Sequence, residues 1–182
     1  LGGTEEDFAK LMNVYAERLG MTNTNFVNSS GWPDDNHYST VYDLGILSNA
    51  IIRDFPDLYT YFKMEEFTYN DITQPNRNKL LYQVQGADGL KTGFTKESGW
   101  GIAATALRND RRITVVINGT NSSRSRLNES SNLINWAFNQ TSQQTLVEKD
   151  QFIKEVDVWL GSESSINLIS EQKVVSTLSF DQ

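Results

Sequence analysis

Residues 88 to 95, Asp-Gly-Leu-Lys-Thr-Gly-Phe-Thr, set one lysine and one threonine between two glycines. A fixed ammonium beside backbone that no side chain covers suits an anion whose own main chain must come close. In an extended strand, alternation places Lys91 and Gly93 on one face and Thr92 on the other, though a twisted edge can present both. Glycine in such a strand marks close approach by a ligand or another backbone. A peptide can add along that edge through its main chain, with its terminal carboxylate near the Lys91 ammonium. The tripeptide K-T-G equally fits an exposed lysine in a glycine-punctuated turn, and the stretch holds no obvious nucleophile.

Other chemistry-bearing residues are few. His37 is the one histidine, so a Ser-His-Asp relay would have to use it. Asp34 and Asp35 are its neighbours in a tight loop, too close in sequence to orient an imidazole from behind. As metal ligands these neighbours would need further partners that the sequence does not identify, and cysteine is absent, which excludes thiolate metal sites and disulfides. No metal or cofactor is expected.

These residues need elements to hold them. Thr4 followed by Asp7 fits a capping box, Phe8, Leu11, Met12, Tyr15, Ala16 and Leu19 recur at helical spacing, and Gly20 supplies the stop. A second helix is predicted from Thr40 to about Arg53, with Val41, Leu44, Leu47 and Ile51 as its buried stripe and Pro56 just beyond. Between them runs FVNSSGWPDDNHYS, a turn-rich loop. After a short helical piece near 57–63, EEFTYN reads as a strand, TQPNRN as a turn, and KLLY through VQGADGLKTGF as extended or loop. GWGIAATAL and RRITVVING are two strand patterns joined at Asn109-Asp110, the signature of a hairpin. SRLNESSNLINWAFNQ is an amphipathic helix expected to face Leu127, Leu133, Ile134, Ala137 and Phe138 inward. From about Ser142, TLVEKDQ, FIKEVDVWLG, SINLIS and VVSTLSF alternate over short spans, so a domain boundary is expected near 141–145.

The 182-residue chain is long enough for one good core, or for one domain and a smaller one. Its formal net charge of -7 argues against a nucleic-acid partner, which needs clustered Lys and Arg. No apolar run approaches the ~20 residues of a membrane span. The chain opens LGGTEEDF and closes SFDQ directly after a strand pattern, so an excised piece of a longer protein is expected.

The stretches GLKTGFT, LMNVYAERLGMTNTNFVNSSGWPDDNHYST, NRNKLLY and KVVSTLSF together resemble the low-molecular-mass penicillin-binding proteins, the serine-type D-alanyl-D-alanine carboxypeptidases. The resemblance covers nearly the whole chain, and G-W-x-x-x-N-H-Y-S-T after a helix ending in L-G-M is more specific than K-T-G. It implies an α+β fold: a transpeptidase-like domain with an antiparallel sheet and helices, its N-terminal part missing, over residues 1–142. A partial β-rich C-terminal module follows over 143–182. The family uses S-x-x-K, carrying the nucleophile and its lysine base, then S-x-N, then K-T-G; in family order the first two come before the helix that opens this chain. Ser170-Glu171-Gln172-Lys173 and Ser165-Ile166-Asn167 match the letters, but after K-T-G and in reversed order. A nucleophilic serine needs its lysine one turn away on a buried helix, desolvated and neutral, whereas SEQKVV is polar and then strand-like.

By resemblance, Lys91 would hold the substrate's terminal carboxylate, with Thr92 donating a hydrogen bond, Gly93 keeping the backbone bare and Arg126 helping to orient the carboxylate. Arg77 matches an arginine beside the cleft, at a position that equally fits a solvated turn or a structural salt bridge. The Phe94 backbone N–H would form half of an oxyanion hole. Some family members carry His where this chain has Phe94. Arg124 and Arg108 read as surface charges, and the His37 loop would flank the site. The implied activity of the intact protein is removal of the terminal D-Ala of peptidoglycan stem peptides through an acyl-serine, with β-lactams as inhibitors. The implied location is the periplasm or the outer face of the cytoplasmic membrane, with any membrane contact through a C-terminal anchor not present in this chain. The chain itself, without the nucleophile, is expected to be inactive. A class A-type serine β-lactamase is disfavoured by the absence of Glu between Met21 and Met64, and a non-catalytic peptidoglycan-binding module stays open.

Overall fold

A computed structural model describes residues 3–180. Their contacts divide the chain into two units, one reaching Asn135 and the other starting at Trp136.

In the first unit, Thr4 caps α1 (Glu5–Leu19): its hydroxyl accepts the Asp7 N–H at 3.1 Å, and Glu5, Glu6 and Asp7 favour the positive helix end. Gly20 stops it in the left-handed conformation at φ 80°, where its N–H reaches the carbonyls of Ala16 and Glu17. Thr40 caps α2 (Val41–Asp54) through the Asp43 N–H at 3.0 Å, and Pro56 opens the one-turn α3 (Pro56–Tyr59), continued by a 3-10 turn over Thr60–Lys63.

The expected stripe of α2 is corrected. Val41 is 48% exposed, and the fully buried positions are Asp43, Ser48 and Ala50. Asp43 is buried because its carboxylate accepts the Asn23 N–H at 2.9 Å and the Thr24 hydroxyl at 2.7 Å, and a Cβ on Gly45 would meet the Val116 side chain at 4.0 Å. TQPNRN is likewise more than a turn. Its first half belongs to β2 (Ile72–Pro75), paired antiparallel with β1 (Glu66–Tyr69). KLLY is not extended: Leu80–Gln83 form the single turn α4, started by the Asn78 carboxamide oxygen, which accepts the Leu80 N–H at 3.1 Å.

The sheet that matters for function is antiparallel, in the order β3 (Ala87–Thr95), β4 (Gly99–Arg108), β5 (Arg111–Thr120). Asn109 and Asp110 take φ 48° and 61°, the paired left-handed geometry of a two-residue hairpin turn. Central β4 buries Ile102, Ala104, Thr105 and Ala106, and α2 packs against β5 and β4. Among the described residues β3 pairs with β4 alone, in the register Lys91 to Ala103, Thr92 to Ile102, Gly93 to Gly101 and Phe94 to Trp100.

Helix α5 (Ser123–Gln140) follows β5. Its buried positions are Arg126, Ser130 and Ile134, spaced by four, and Leu133 is 42% exposed. The inward expectation for Leu133 is therefore corrected. Ser130 fits inside because its hydroxyl donates back to the Arg126 carbonyl at 2.6 Å.

The second unit contains two antiparallel pairs: β6 (Thr141–Val147) with β9 (Val174–Ser179), and β7 (Phe152–Asp157) with β8 (Ser165–Ile169).

Candidate functional site

Strand β3 is fixed at its start by a polar cluster absent from the sequence-based expectations. Asp88 accepts both terminal nitrogens of Arg112, each at 2.7 Å, in a fork that fills both carboxylate oxygens. Arg112 belongs to β5, so its side chain spans the central strand. It passes Thr105 of β4, whose hydroxyl donates to Asp88 Oδ1 at 2.8 Å. The Tyr59 hydroxyl donates to the same oxygen at 2.8 Å and lies 2.5 Å from the Thr105 hydroxyl. Burial pushes the Tyr59 phenol up to about 12. Burial would also raise the Asp88 carboxyl, but the bonds from Arg112, Tyr59 and Thr105 prevail and hold it below the usual aspartate value.

Gly89 follows this anchor, and a Cβ there would stand 2.6 Å from the Tyr59 hydroxyl oxygen, so the position has no room for a side chain. Its carbonyl accepts the side-chain amide of Asn78 at 2.9 Å, and Asn78 is 1% exposed. Asn78 thereby ties the turn carrying Arg77 and Lys79 to the edge of β3.

Beyond the anchor the strand opens. Lys91 is exposed and Thr92 buried, as alternation predicts, and a Cβ on Gly93 would meet nothing within 4 Å. The Lys91 ammonium donates to the Thr92 carbonyl at 2.5 Å and has no carboxylate within 4 Å among the described residues. Arg126 reaches the same stretch from α5. Its side chain donates to the Gly93 carbonyl at 3.4 Å, and its guanidinium carbon lies 5.4 Å from the centre of the Trp100 ring. Arg126 is only 8% exposed, yet no acid pairs with it among the described residues. Burial alone pulls its pKa below the usual arginine value. Buried charges are ordinarily paired, so this guanidinium is fit for an anion brought by a ligand.

Lys91, Thr92, Gly93, Phe94, Arg126 and Arg77 all line one cleft of about 910 Å³. Arg77 is exposed at its wall. Ser30 and Gly31 bring the His37 loop to the same cleft. Phe94 is 54% exposed and packs its ring on Trp100, 4.5 Å between centroids.

The sequence decoys lie elsewhere. Ser170 is in a surface turn where its hydroxyl donates to the Gln172 carbonyl, and the Lys173 ammonium pairs with Glu148 at 3.2 Å, away from that hydroxyl. Ser165 sits on β8, bonded to Glu155. A further S-x-N, Ser130-Ser131-Asn132, lies within α5. No serine on a helix among the described residues is followed by lysine one turn later. His37 Nδ1 accepts the Val27 N–H at 3.3 Å, and its ring meets Phe26 edge-on at 5.6 Å. The side chain of Asp34 accepts the Asn36 N–H at 2.8 Å and closes the loop. Arg108, expected at the surface, is half-buried and donates to the Gln85 carbonyl at 2.8 Å and to Asn135 at 2.9 Å.

Comparison with known proteins places this geometry in context. Residues 1–121 match the family model described as D-alanyl-D-alanine carboxypeptidase. The chain is 39% identical over 169 residues to D-alanyl-D-alanine carboxypeptidase DacC of Escherichia coli, covering 92% of this chain and 42% of that protein. Its fold is similar to penicillin binding protein 5 from Haemophilus influenzae, with a TM-score of 0.89 and 33% identity over 98% of this chain and 52% of that one. It is also similar to a penicillin-binding protein of Listeria monocytogenes solved in its cefotaxime-bound form. There the TM-score is 0.69 at 34% identity, over 73% of this chain and 56% of that one. The chain spans 42–45% of the length of curated relatives that it matches.

Proposed function

This chain belongs to the D-alanyl-D-alanine carboxypeptidase family, and from that premise we propose that the protein it represents trims the terminal D-Ala from peptidoglycan stem peptides. In that reaction a serine oxygen attacks the carbonyl of the D-Ala-D-Ala bond, D-Ala leaves as the amine, and water releases the shortened peptide from the acyl-serine. The residues of this chain form the wall that receives the substrate. Lys91 and Arg126 take the terminal carboxylate, Thr92 donates a hydrogen bond to it, and Gly93 leaves room for the peptide backbone. The Phe94 N–H contributes one oxyanion donor, and Arg77 adds positive potential at the cleft wall.

The single observation that carries this reading is the Arg126 guanidinium: nearly buried, without an acid among the described residues, and aimed at the Gly93 carbonyl on the strand where the Lys91 ammonium has a backbone carbonyl but no carboxylate within 4 Å among them. Two cations without anions at one strand edge are costly unless the ligand supplies the charge. In the same reading β-lactams, whose carboxylate and strained amide imitate the substrate, occupy the cleft, and the reaction takes place outside the cytoplasmic membrane. The segments past the cleft, proposed as a second β-rich domain, take no part in the chemistry.

The test uses a fluorescent penicillin. The chain of residues 1–182 is expected to remain unlabelled, because no serine on its described helices has a lysine one turn away. Excess unlabelled penicillin is expected to bind it reversibly. Covalent labelling of residues 1–182 would contradict this division of labour.

A further inference from the structure

Trp100 occupies the position opposite Phe94 in the β3–β4 register, and it touches two groups of the proposed wall at once. Phe94 packs on it with ring centroids 4.5 Å apart and planes at 36°, and the Arg126 guanidinium carbon lies 5.4 Å from the ring centre. The backbone of Trp100 is itself held, since its carbonyl accepts the Thr120 hydroxyl at 2.9 Å. On the helix side, the Arg126 main chain is held by the Ser122 carbonyl at 2.9 Å and by the Ser130 hydroxyl at 2.6 Å.

Two tethers reach the head group. The bond to Gly93 is 3.4 Å, beyond the usual range for N–H to O. The other is the indole. An arginine side chain has many rotamers, and a guanidinium that wanders cannot form a two-point contact with a carboxylate. The indole's quadrupole attracts the cation, and its bulk leaves the guanidinium few other places.

We propose that Trp100 is a positioning residue of this site: its indole, braced by Phe94, holds Arg126 level with Gly93 so that the guanidinium meets a ligand carboxylate already oriented. The proposal rests on the reading of Arg126 as a carboxylate binder. It assigns the aromatic pair a role in selectivity for a free C-terminal acid, separate from the role of the Phe94 N–H.

The test compares the whole chain with Trp100→Leu, Trp100→Tyr and Arg126→Gln. The first readout needs no ligand: the proton resonance of Arg126 Nε–H, shifted upfield by the indole ring. In Trp100→Leu that shift is expected to vanish and solvent exchange to quicken by about tenfold, whereas Trp100→Tyr keeps most of both effects. The second readout is binding of N-acetyl-D-Ala-D-Ala as the free acid and as its C-terminal amide. The native chain is expected to prefer the acid by about tenfold, Trp100→Leu by about threefold or less, and Trp100→Tyr within about twofold of native. Unchanged selectivity in Trp100→Leu overturns the proposal. Equal loss of acid and amide also overturns it, since that is the mark of a merely structural role. A native chain without acid preference, or an Arg126→Gln chain that keeps it, removes the carboxylate reading itself, and the role of Trp100 falls with it.

Discussion

At the start of β3, Asp88 meets a full complement of partners: Arg112 on both oxygens, Tyr59 and Thr105 on one of them. Three residues on, Lys91 has only a carbonyl, and Arg126 beside it has a long bond and a ring face. One half of the strand has its charges closed within the protein, and the other half leaves them open. Charges closed within the fold contribute stability and are silent towards ligands. Charges left open cost stability, and in the proposed reading they are kept for a ligand's carboxylate. The boundary between the two lies at Gly89 and Leu90, where the Tyr59 ring leaves no room for a Cβ and the Asn78 amide grips the main chain.

Substitutions can break this contrast from either side. The largest effect is expected at the anchor. Asp88→Asn removes the charge that Arg112 faces in a partly buried fork, and should lower stability by about 2–3 kcal/mol in a thermal or urea melt. Acid-over-amide selectivity should survive in the folded fraction. Gly89→Ala is next: the new methyl must displace Tyr59 at a predicted cost of about 1–3 kcal/mol, read in the same melt. On the open half the pattern reverses. Lys91→Ala is expected to weaken binding of the free acid about tenfold, while its melting curve stays within about 0.5 kcal/mol of native.

The pH dependence sharpens the same contrast, because the anchor should limit stability at both extremes. Asp88 keeps its charge further into acid than the ordinary value of 3.8 allows, so the unfolded chain takes up the proton first. Its contribution is present above that value and is lost as pH falls through the lower folded one. For Tyr59 the sign is opposite. The folded phenol holds its proton up to about 12 against 10.0 for an ordinary one, so the unfolded chain loses it first and stability falls from pH 10 to 12. Urea midpoints across both windows measure this. Replacing Tyr59 by Phe should abolish the alkaline limb and only weaken the acid one, because Arg112 and Thr105 still hold Asp88. The smallest effect belongs to Arg77→Ala, which should weaken acid binding by about threefold or less, since an exposed charge acts through screened solvent.

The open half was legible in the sequence because glycines on both sides of Lys91 announce bare backbone. Caps and turns were equally plain: Thr4, Gly20, Thr40 and Asn109-Asp110 act through neighbours in the chain, where sequence carries the information directly. The closed half was not legible. Its contacts join residues 17 to 53 positions apart, across a central strand whose mostly apolar pattern does not single out Thr105. The one cue was an arginine among the β-branched residues of RRITVVING, close to a strand with an acid at its start. The helix faces failed for a related reason. Periodicity weighted large side chains, whereas α2 buries Asp43, Ser48 and Ala50, and α5 buries Arg126 and Ser130, because close approach selects small or hydrogen-bonded residues. Trp100 looked like an ordinary strand aromatic, and only the register that sets it against Phe94 brought it to the site.

The most direct test of the open half is a calorimetric titration of N-acetyl-D-Ala-D-Ala, as free acid and as amide, into the native chain. If Lys91 and Arg126 are held unpaired for a terminal carboxylate, the acid should bind about tenfold more tightly than the amide, and added salt should narrow the gap. Equal binding of acid and amide would contradict the account.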